Sequence, residues 1–558
     1  MDQGRCNLDW CLALLDGLVG AGVEQVVLSP GSRNTPLTLA AVLHPQLQYH
    51  VAVDERGGGY FALGMAMASG KPVALICTSG TAVANWFPAV VEAKQQQIPL
   101  ILLSADRPWE LQQCMANQTI DQIKLFGSHV RAFHQLPAAG FSPAALHRLR
   151  MLGRQLVRES AGVAAGPVHA NISLREPLTP KFLPQSLSAV EVKTLTKAQP
   201  ALSQDELQGL AATLAGSKGV IICGPGAACA DALHLGEVLG CPVLADPLSG
   251  LRFVSSGGAI SRYDLFLRSK TNAVQLRAEW VLHFGGTPVS KTLQQYLDEQ
   301  GHAPYWWVDA SGRSMDRPGM VIETLPVSAQ HLCRQLLSRK LPPPAPDWLK
   351  AWRALNQQAE TRLQQLDLPL EALVVRHALE ELPEQSLLFS GNSMSVRFLD
   401  AYSTGNKDIA VHGNRGASGI DGNLSTLAGI ASMWRGEGKV LGIVGDLAFF
   451  HDLNALALAR HQDMILLLLN NQGGGIFDFL PQRALPEYDA CWRTPVALDY
   501  GQASAAFGVT SVQVRDMNAF AQAFSRAIRG KGMQLIEIVI DSAHSNALHQ
   551  NVAAQWAD

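Results

Sequence analysis

Residues Lys439 to Phe477 read KVLGIVGDLAFFHDLNALALARHQDMILLLLNNQGGGIF. Two apolar runs, VLGIV and MILLLL, each stop on small polar residues, the first at Gly445-Asp446 and the second at Asn470-Asn471. Short aliphatic runs without polar alternation predict strands buried on both faces of a parallel sheet. HDLNALALAR, between them, has helical spacing, so the stretch reads as one strand, helix, strand unit. In open parallel sheets ligands sit outside the carboxyl ends of the strands, which places Asp446 and Asn471 on the binding edge. One carboxylate, one carboxamide oxygen and a backbone carbonyl from the Gly473 region form an oxygen set suited to a hard divalent cation. Magnesium takes such donors and completes its octahedron with waters and phosphate oxygens, so a metal here implies a phosphorylated cofactor. Taken singly, Gly-Asp is an ordinary turn and Asn-Asn-Gly-Gly an ordinary loop. Paired 25 residues apart across one βαβ unit, they are far more specific.

The same alternation of short strands and helical patterns runs outward from this stretch. Strand signals in the first 180 residues are VEQVVLSPGS, YHVAVDERGG, KPVALICTSGT, IPLILLSADRP and GPVHANIS. A polar, proline-bearing segment from Glu176 to Glu206 follows, then KGVIICGPG, CPVLADPLSG, WVLHFGGTPVS and PYWWVDASGR. KLPPPAPDW forces extended backbone and marks the next boundary. After it come QSLLFSGNSMSV, DIAVHGNRGASG, the two runs above and MQLIEIVIDS. The expected fold class is α/β, with three doubly wound parallel-sheet domains over 1–180, 195–340 and 349–558. A chain of 558 residues is too long for one core and suits about three.

Composition narrows the function classes. The net charge of −3 gives no global attraction to nucleic acid, so a bound anion must be met by local cations. The run MILLLL is far short of the ~18 apolar residues that a membrane helix needs. MDQGRCNLDWCLALLDGL carries acidic residues within its apolar pattern and no small-residue cleavage site, so the protein is expected in the cytosol. Nine Cys without a C-x-x-C read as small core residues, not as a zinc site or a disulfide framework.

A Gly-Asp followed some 25 residues later by Asn-Asn resembles the diphosphate and metal signature of thiamine diphosphate enzymes, with Leu447 where the general signature has Gly. The resemblance implies a second element, a Glu that hydrogen-bonds a ring nitrogen of the aminopyrimidine. It places that role on Glu55, in HVAVDERGGGYFALGMAMASG, at a strand end before a Gly-rich helix. The bland alternative is that Glu55 merely favours a helix N-terminus by its charge, worth about 0.3–1 kcal/mol. Because the two elements lie in different domains, the resemblance implies a pyrimidine-binding domain, a central Rossmann-like domain and a diphosphate-binding domain. It also implies a homodimer or dimer of dimers in which the cofactor bridges subunits.

Cations follow several strand ends: Arg33 with Ser32 in LSPGSRNTPLTLA, Arg107 after IPLILLSADRP, Lys291 in GGTPVSKTL, Arg397 with Ser393 in GNSMSVRFLD, and Arg415 in GNRGASGIDG. Each alone is more often a solvated charge or a structural ion pair. Together they suggest substrates with several carboxylates, which the arginine fork binds in a bidentate manner. SPGSRNTPLTLA, DERGGGYFALGMA, TSGTAVANWFPAVVEA, ADRPWEL, ANQTI, GNSMSVR, NRGASGIDGNLSTLAG and VGDLAFFHDLNAL closely resemble the 2-succinyl-5-enolpyruvyl-6-hydroxy-3-cyclohexene-1-carboxylate synthases of menaquinone biosynthesis.

That family resemblance implies a transferase: thiamine diphosphate-dependent decarboxylation of 2-oxoglutarate, release of carbon dioxide, and addition of the succinyl carbanion equivalent to isochorismate. Ser32, Arg33, Arg107, Asn117, Gln118 and Lys291 would contact isochorismate, and Ser393, Arg397 and Arg415 would hold the 2-oxoglutarate portion. Asp446, Asn471 and Gly473 would bind magnesium or manganese. Glu55, Asn392, Ser393, Gly445, Asp446, Leu447, Asn471, Gly473 and Gly474 would hold the cofactor. Ile420 would support its bent form, with Ile476, Phe477 and Leu480 as an apolar wall; a plain core role is equally natural for these four. Rival readings are an acetolactate synthase type acting on small monocarboxylates, a noncatalytic scaffold, and a nicotinamide oxidoreductase suggested by Gly224 and Gly226 in VIICGPGAACAD. The last lacks the third fingerprint Gly, where Cys229 stands.

Overall fold

The computed structural model describes residues 2–140, 142–184, 187–193, 200–301, 303–317, 320–339, 341, 347–403 and 407–558. The proline run at 342–344, expected to mark a boundary, lies outside the described residues, as do 185–186 and 194–199 of the segment that precedes the middle series.

Each of the three βαβ series forms one parallel sheet. The first holds β1 (Gln25–Leu28), β2 (Gln48–Val51), β3 (Val73–Cys77), β4 (Leu100–Asp106), β5 (Phe133–Leu136) and β6 (Val168–Ser173) in the order β2-β1-β3-β4-β6-β5. The second holds β7 (Gly219–Cys223), β8 (Val243–Ala245), β9 (Trp280–Phe284), β10 (Tyr305–Val308) and β11 (Ile322–Leu325) in the order β11-β10-β9-β7-β8. The third holds β12 (Ser386–Ser390), β13 (Ile409–His412), β14 (Val440–Gly445), β15 (Met464–Asn470), β16 (Thr510–Val514) and β17 (Met533–Val539) in the order β13-β12-β14-β15-β17-β16. The central strands β3, β4, β7 and β9 are buried at every position, as strands covered on both faces must be, with Ser104, Asp106 and His283 as polar side chains buried among apolar ones. Three strands escape a reading by apolar runs: β5, β11 and β16, each at the edge of its sheet.

The first and third sheets are wound in the same strand order. In each, the chain steps from its first strand to one side and then crosses back to the other. The ligand crevice of such a sheet opens at that reversal, here at the carboxyl ends of β1 and β3, and of β12 and β14. Ser29–Arg33 and Thr78–Gly80 occupy the first crevice; Gly391–Ser393 and Gly445–Leu447 occupy the second.

The chain forms two compact units, one of residues 1–198, 414–434 and 450–462, the other of 199–413, 435–449 and 463–558. In the first, helix Glu55–Ser69 packs on helix Asn423–Met433 at backbone contact. A Cβ on Gly64 would fall 2.0 Å from the Thr426 carbonyl oxygen, and one on Gly429 would fall 2.0 Å from that of Phe61. Only glycine permits this approach. In the second unit the middle and third sheets share one core. Arg252, with no exposed side chain, pairs with Asp400 at 2.7 Å, and Arg262 pairs with Glu360 at 2.7 Å. Seven of the nine cysteines are buried and all are free; Cys114 and Cys491 are exposed, against the expectation of core positions throughout. The Gly224-x-Gly226 turn follows β7, and a Cβ on Gly224 would overlap the Gly286 carbonyl oxygen at 1.7 Å, so this glycine serves close packing. No helix among the described residues is long and apolar enough to cross a membrane.

Candidate active site

In the first unit, Glu55 opens helix Glu55–Ser69 directly after β2. The Asp54 carboxylate caps the helix by accepting from the Arg56 amide at 3.0 Å, which leaves the Glu55 side chain out of the capping role. Its Oε2 accepts from Asn85 Nδ2 at 3.4 Å, and the group is half-buried.

Arg33 lies just before helix Thr35–Leu43, as expected, but its guanidinium is not free. Nη1 donates to the Leu174 carbonyl at 2.9 Å and Nη2 to Glu176 Oε1 at 2.8 Å. The side chain is 6% exposed, so the buried cation takes the nearest acceptors beyond β6; its Nε, also buried, has no partner among the described residues. Arg107, after β4, donates to the Ser79 hydroxyl and to the Gln118 carbonyl at 2.7 Å. Burial, and then the neighbouring Arg33 guanidinium, lower the pKa of Arg107. A guanidinium whose charge is disfavoured by a second one beside it makes a place where an anion is stabilised. Gln118 has φ +54°, and its amide donates to the Ser79 carbonyl at 3.1 Å. Asn117 and Ser32 are exposed beside this cluster. Ser79 was not singled out from sequence; its signal was its place in CTSGT, directly after a buried strand. Arg415 and Ile420 belong to this unit as well, on the loop after β13, with Ile420 42% exposed.

In the second unit, β14 and β15 are neighbours, with Gly445 opposite Leu469. Asp446 and Asn471 therefore do stand at adjacent strand tips. The intervening segment is broken into helix Asp446–His451, a tight turn at Leu453–Ala455 and helix Leu456–Ala459, not one continuous helix. Asp446 is 3% exposed. Its Oδ2 accepts from the Gly473 amide at 2.7 Å and its Oδ1 from the Leu447 amide at 2.9 Å. Because the second bond uses backbone, Leu447 replaces Gly at that place without losing it. Burial pushes the Asp446 carboxyl up to about 6, against the Gly473 and Leu447 amides and the charge of Arg493.

The two asparagines divide their work. Asn470 is structural: Nδ2 donates to Glu537 at 2.6 Å and Oδ1 accepts from the Gln472 amide at 3.0 Å. Asn471 Oδ1 is buried and has no partner among the described residues. A buried carboxylate short of positive charge, beside an orphaned amide oxygen, is the donor chemistry a hard divalent cation satisfies, and the residues present fit one. No cluster of three or more His, Cys, Asp or Glu among the described residues offers a different kind of metal site.

Across the crevice, Ser393 adopts φ +64° and ψ −127°, a conformation rarely taken by a residue with a side chain and one that collects at functional sites. Asn392 beside it is buried. Arg397 Nη1 donates to the Ser393 carbonyl at 2.5 Å. Arg397 and Lys291 line one cavity of about 560 Å³, with Ile476, Phe479 and Leu480 on its wall. The structure thus brings together two cations that had been assigned to different substrates. Phe479, not named from sequence, lines this cavity where Phe477 does not; Phe477 packs on Gly474, whose Cβ would lie 2.7 Å from the ring.

Three models of thiamine pyrophosphate enzymes match the chain: the N-terminal TPP binding domain over residues 12–125, the middle domain over 190–390 and the C-terminal TPP binding domain over 402–538. A 2-succinyl-5-enolpyruvyl-6-hydroxy-3-cyclohexene-1-carboxylate synthase of Dechloromonas aromatica is 40% identical over 96% of this chain and 99% of its own. Proteins of the same name from Listeria monocytogenes and Bacillus cytotoxicus are 37% and 36% identical, over 99% and 98% of this chain and 97% and 95% of their own. Identity of this extent, spanning all three sheets and both crevices, makes the chain a member of the 2-succinyl-5-enolpyruvyl-6-hydroxy-3-cyclohexene-1-carboxylate synthase family of thiamine pyrophosphate enzymes.

Proposed function

We propose that the protein catalyses decarboxylation of 2-oxoglutarate and transfer of the resulting succinyl unit to isochorismate, releasing carbon dioxide, as a cytosolic homodimer or dimer of dimers. The observation that carries this reading is the pair of neighbouring strand tips in which Asp446 is buried without a full counter-charge and Asn471 Oδ1 without a partner. Asp446, Asn471 Oδ1 and the Gly473 carbonyl are the groups that would hold magnesium or manganese. When bound, thiamine diphosphate supplies the electron sink for breaking and forming a bond next to a carbonyl.

The chain's own residues supply binding, orientation and dryness. Glu55, positioned by Asn85, would hold a proton at a cofactor ring nitrogen. Arg397 and Lys291 would fix carboxylates within their shared cavity, where Ile476 and Leu480 keep water from the reacting carbons. Arg33 and Arg107, crowded against each other, would receive the carboxylates of the ring substrate. Both substrates are dicarboxylates, which agrees with several cations standing at strand ends.

The test is release of carbon dioxide from 2-oxoglutarate in the presence of thiamine diphosphate and magnesium, with and without isochorismate. Sustained turnover is expected only with both. Turnover with pyruvate alone would favour an acetolactate synthase type instead.

A further inference from the structure

The loop that carries Asn471 is held by a side chain that no motif announces. Arg493 ends a short wide turn, Asp489–Arg493. Its side chain is 12% exposed and faces Asp478, 8% exposed, with Nη1 2.8 Å from Oδ2. Nη2 donates to the Asn471 carbonyl and to the Ser542 hydroxyl, and Ser542 Oγ donates to the same carbonyl at 2.8 Å. The Arg493 carbonyl in turn accepts from the Gly474 amide at 2.7 Å. Asp478 is fixed in turn by Asn546 Nδ2, which donates to the same Oδ2 at 2.8 Å, and by the Tyr488 hydroxyl, which donates to Oδ1.

The fit leaves no slack. Gly473 has φ +123°, and a Cβ there would lie 2.0 Å from the Arg493 carbonyl oxygen. On Gly474 it would lie 2.5 Å from the Trp492 carbonyl oxygen, and on Gly475 2.1 Å from Asn471 Nδ2. With its main-chain carbonyl doubly engaged, Asn471 has one oxygen left for a ligand, the buried Oδ1. A buried ion pair is weak support for stability, because desolvation offsets most of its attraction. What the Arg493–Asp478 pair does without such an offset is fix a direction.

We propose that Arg493, braced by Asp478, is a positioning residue for cofactor capture: it clamps the Asn471–Gly475 loop so that the Asn471 amide oxygen is presented to an ion beside Asp446. The proposal rests on the reading of that loop as the metal and diphosphate site. Partners that orient a metal ligand typically change metal affinity 10- to 100-fold when removed, and the clamp belongs to that range.

The experiment titrates magnesium into apoenzyme at fixed thiamine diphosphate and follows cofactor binding by calorimetry, with no substrate present. Arg493→Gln and Asp478→Asn are each expected to raise the half-saturating magnesium concentration about 10- to 100-fold. The double variant should shift little further, since the two act as one device. At saturating magnesium and cofactor, kcat should return to within about 3-fold of wild type, and the Gly474 amide should exchange its hydrogen faster in the apoenzyme. A merely structural role would lower the unfolding midpoint and leave the magnesium curve in place, which overturns the proposal. Should Arg493→Gln not fold, Ser542→Ala decides: it removes one hydroxyl from the same carbonyl, and an unshifted curve there and in Asp478→Asn overturns the clamp. Asp446→Ala separates the two claims. If wild-type binding is not magnesium-dependent, or Asp446→Ala leaves it unchanged, the site reading fails and the clamp fails with it. If Asp446→Ala abolishes binding while the clamp variants match wild type, the clamp alone fails.

Discussion

At Asp446, position was legible from the sequence, because Gly-Asp and Asn-Asn set 25 residues apart across one βαβ unit put both at neighbouring strand tips. Asn471 was singled out by its place beyond the strand tip, and the structure separates it from Asn470: Asn470 bonds to Glu537, while Asn471 Oδ1 is left without a partner among the described residues. Arg33 shows the opposite limit. Its place beyond a strand suggested an open cation, yet its acceptors lie some 140 residues away at Leu174 and Glu176, a contact no local pattern encodes. Two predictions belong here. Glu55→Gln should bind thiamine diphosphate as wild type does in calorimetry while carbon dioxide release falls by about 10²- to 10⁴-fold, the usual worth of a positioned proton-transfer group; unaltered release removes Glu55 from the chemistry. Arg33→Ala should raise the isochorismate KM about 10- to 100-fold, from the loss of charge-assisted bonds worth about 1.5–3 kcal/mol, and barely move that for 2-oxoglutarate. Glu176→Gln should change neither by more than about 3-fold, because that carboxylate is 69% exposed and water replaces it readily. A larger effect of Glu176→Gln than of Arg33→Ala in steady-state kinetics would show that the ion pair, not substrate capture, is the purpose of Arg33.

Among the elements, the strands that the sequence hides all lie at sheet edges, although the edge strands β2, β8 and β13 are displayed. β3, β4, β9, β14 and β15 are covered on both faces and so are dominated by apolar residues. FHQL in β5, IETL in β11 and TSVQV in β16 sit at sheet edges, where only one neighbour supplies hydrogen bonds and one face stays wet. Polar side chains are then tolerated and even protective against unwanted pairing, so hydropathy carries no signal. The Asn471–Gly475 loop is the reverse case, where glycine is demanded by geometry. Gly473→Ala places a Cβ into the Arg493 carbonyl at a backbone conformation hostile to side chains. It should cost about 1–3 kcal/mol in urea unfolding and abolish magnesium-dependent cofactor binding, while the far-ultraviolet dichroism of the sheets persists. Retained binding would mean that the loop's shape does not matter.

The whole molecule repeats one winding order in its first and third sheets, with no sequence repeat to reveal it. Topology tolerates replacement of nearly every side chain, so the likeness lives in the crossovers and not in the letters. Two buried histidines set a stability limit at this scale. Burial lowers His169 to about 3 and His283 to about 4, so both are neutral in the fold. The unfolded chain takes up those protons near pH 6.5, hence their contribution is intact above that value and is lost as pH falls through 6.5 toward 4. Each contributes a slope of up to about 1.4 kcal/mol per pH unit in that window. Asp452 acts in the other sense: burial pushes it up to about 7, so its contribution is full below 3.8 and lost as pH rises through 7. Between pH 7.5 and 5.0, acidification should move the urea midpoint in a more favourable direction in His283→Gln than in wild type, and in a less favourable one in Asp452→Asn. Equal slopes in all three proteins would exclude these groups as the source.

The glycine-to-backbone contact between helix Glu55–Ser69 and helix Asn423–Met433 bears on how the gene can be divided. Those helices are separated by more than 350 positions along the chain, yet they belong to one unit. An amino-terminal fragment truncated anywhere between the first and third sheets would bare the ridge around Phe61 and Gly64 to solvent and invite aggregation. Two coexpressed fragments could rebuild that seam, which makes the connection between sheets a natural place to insert a split reporter whose signal depends on reassembly.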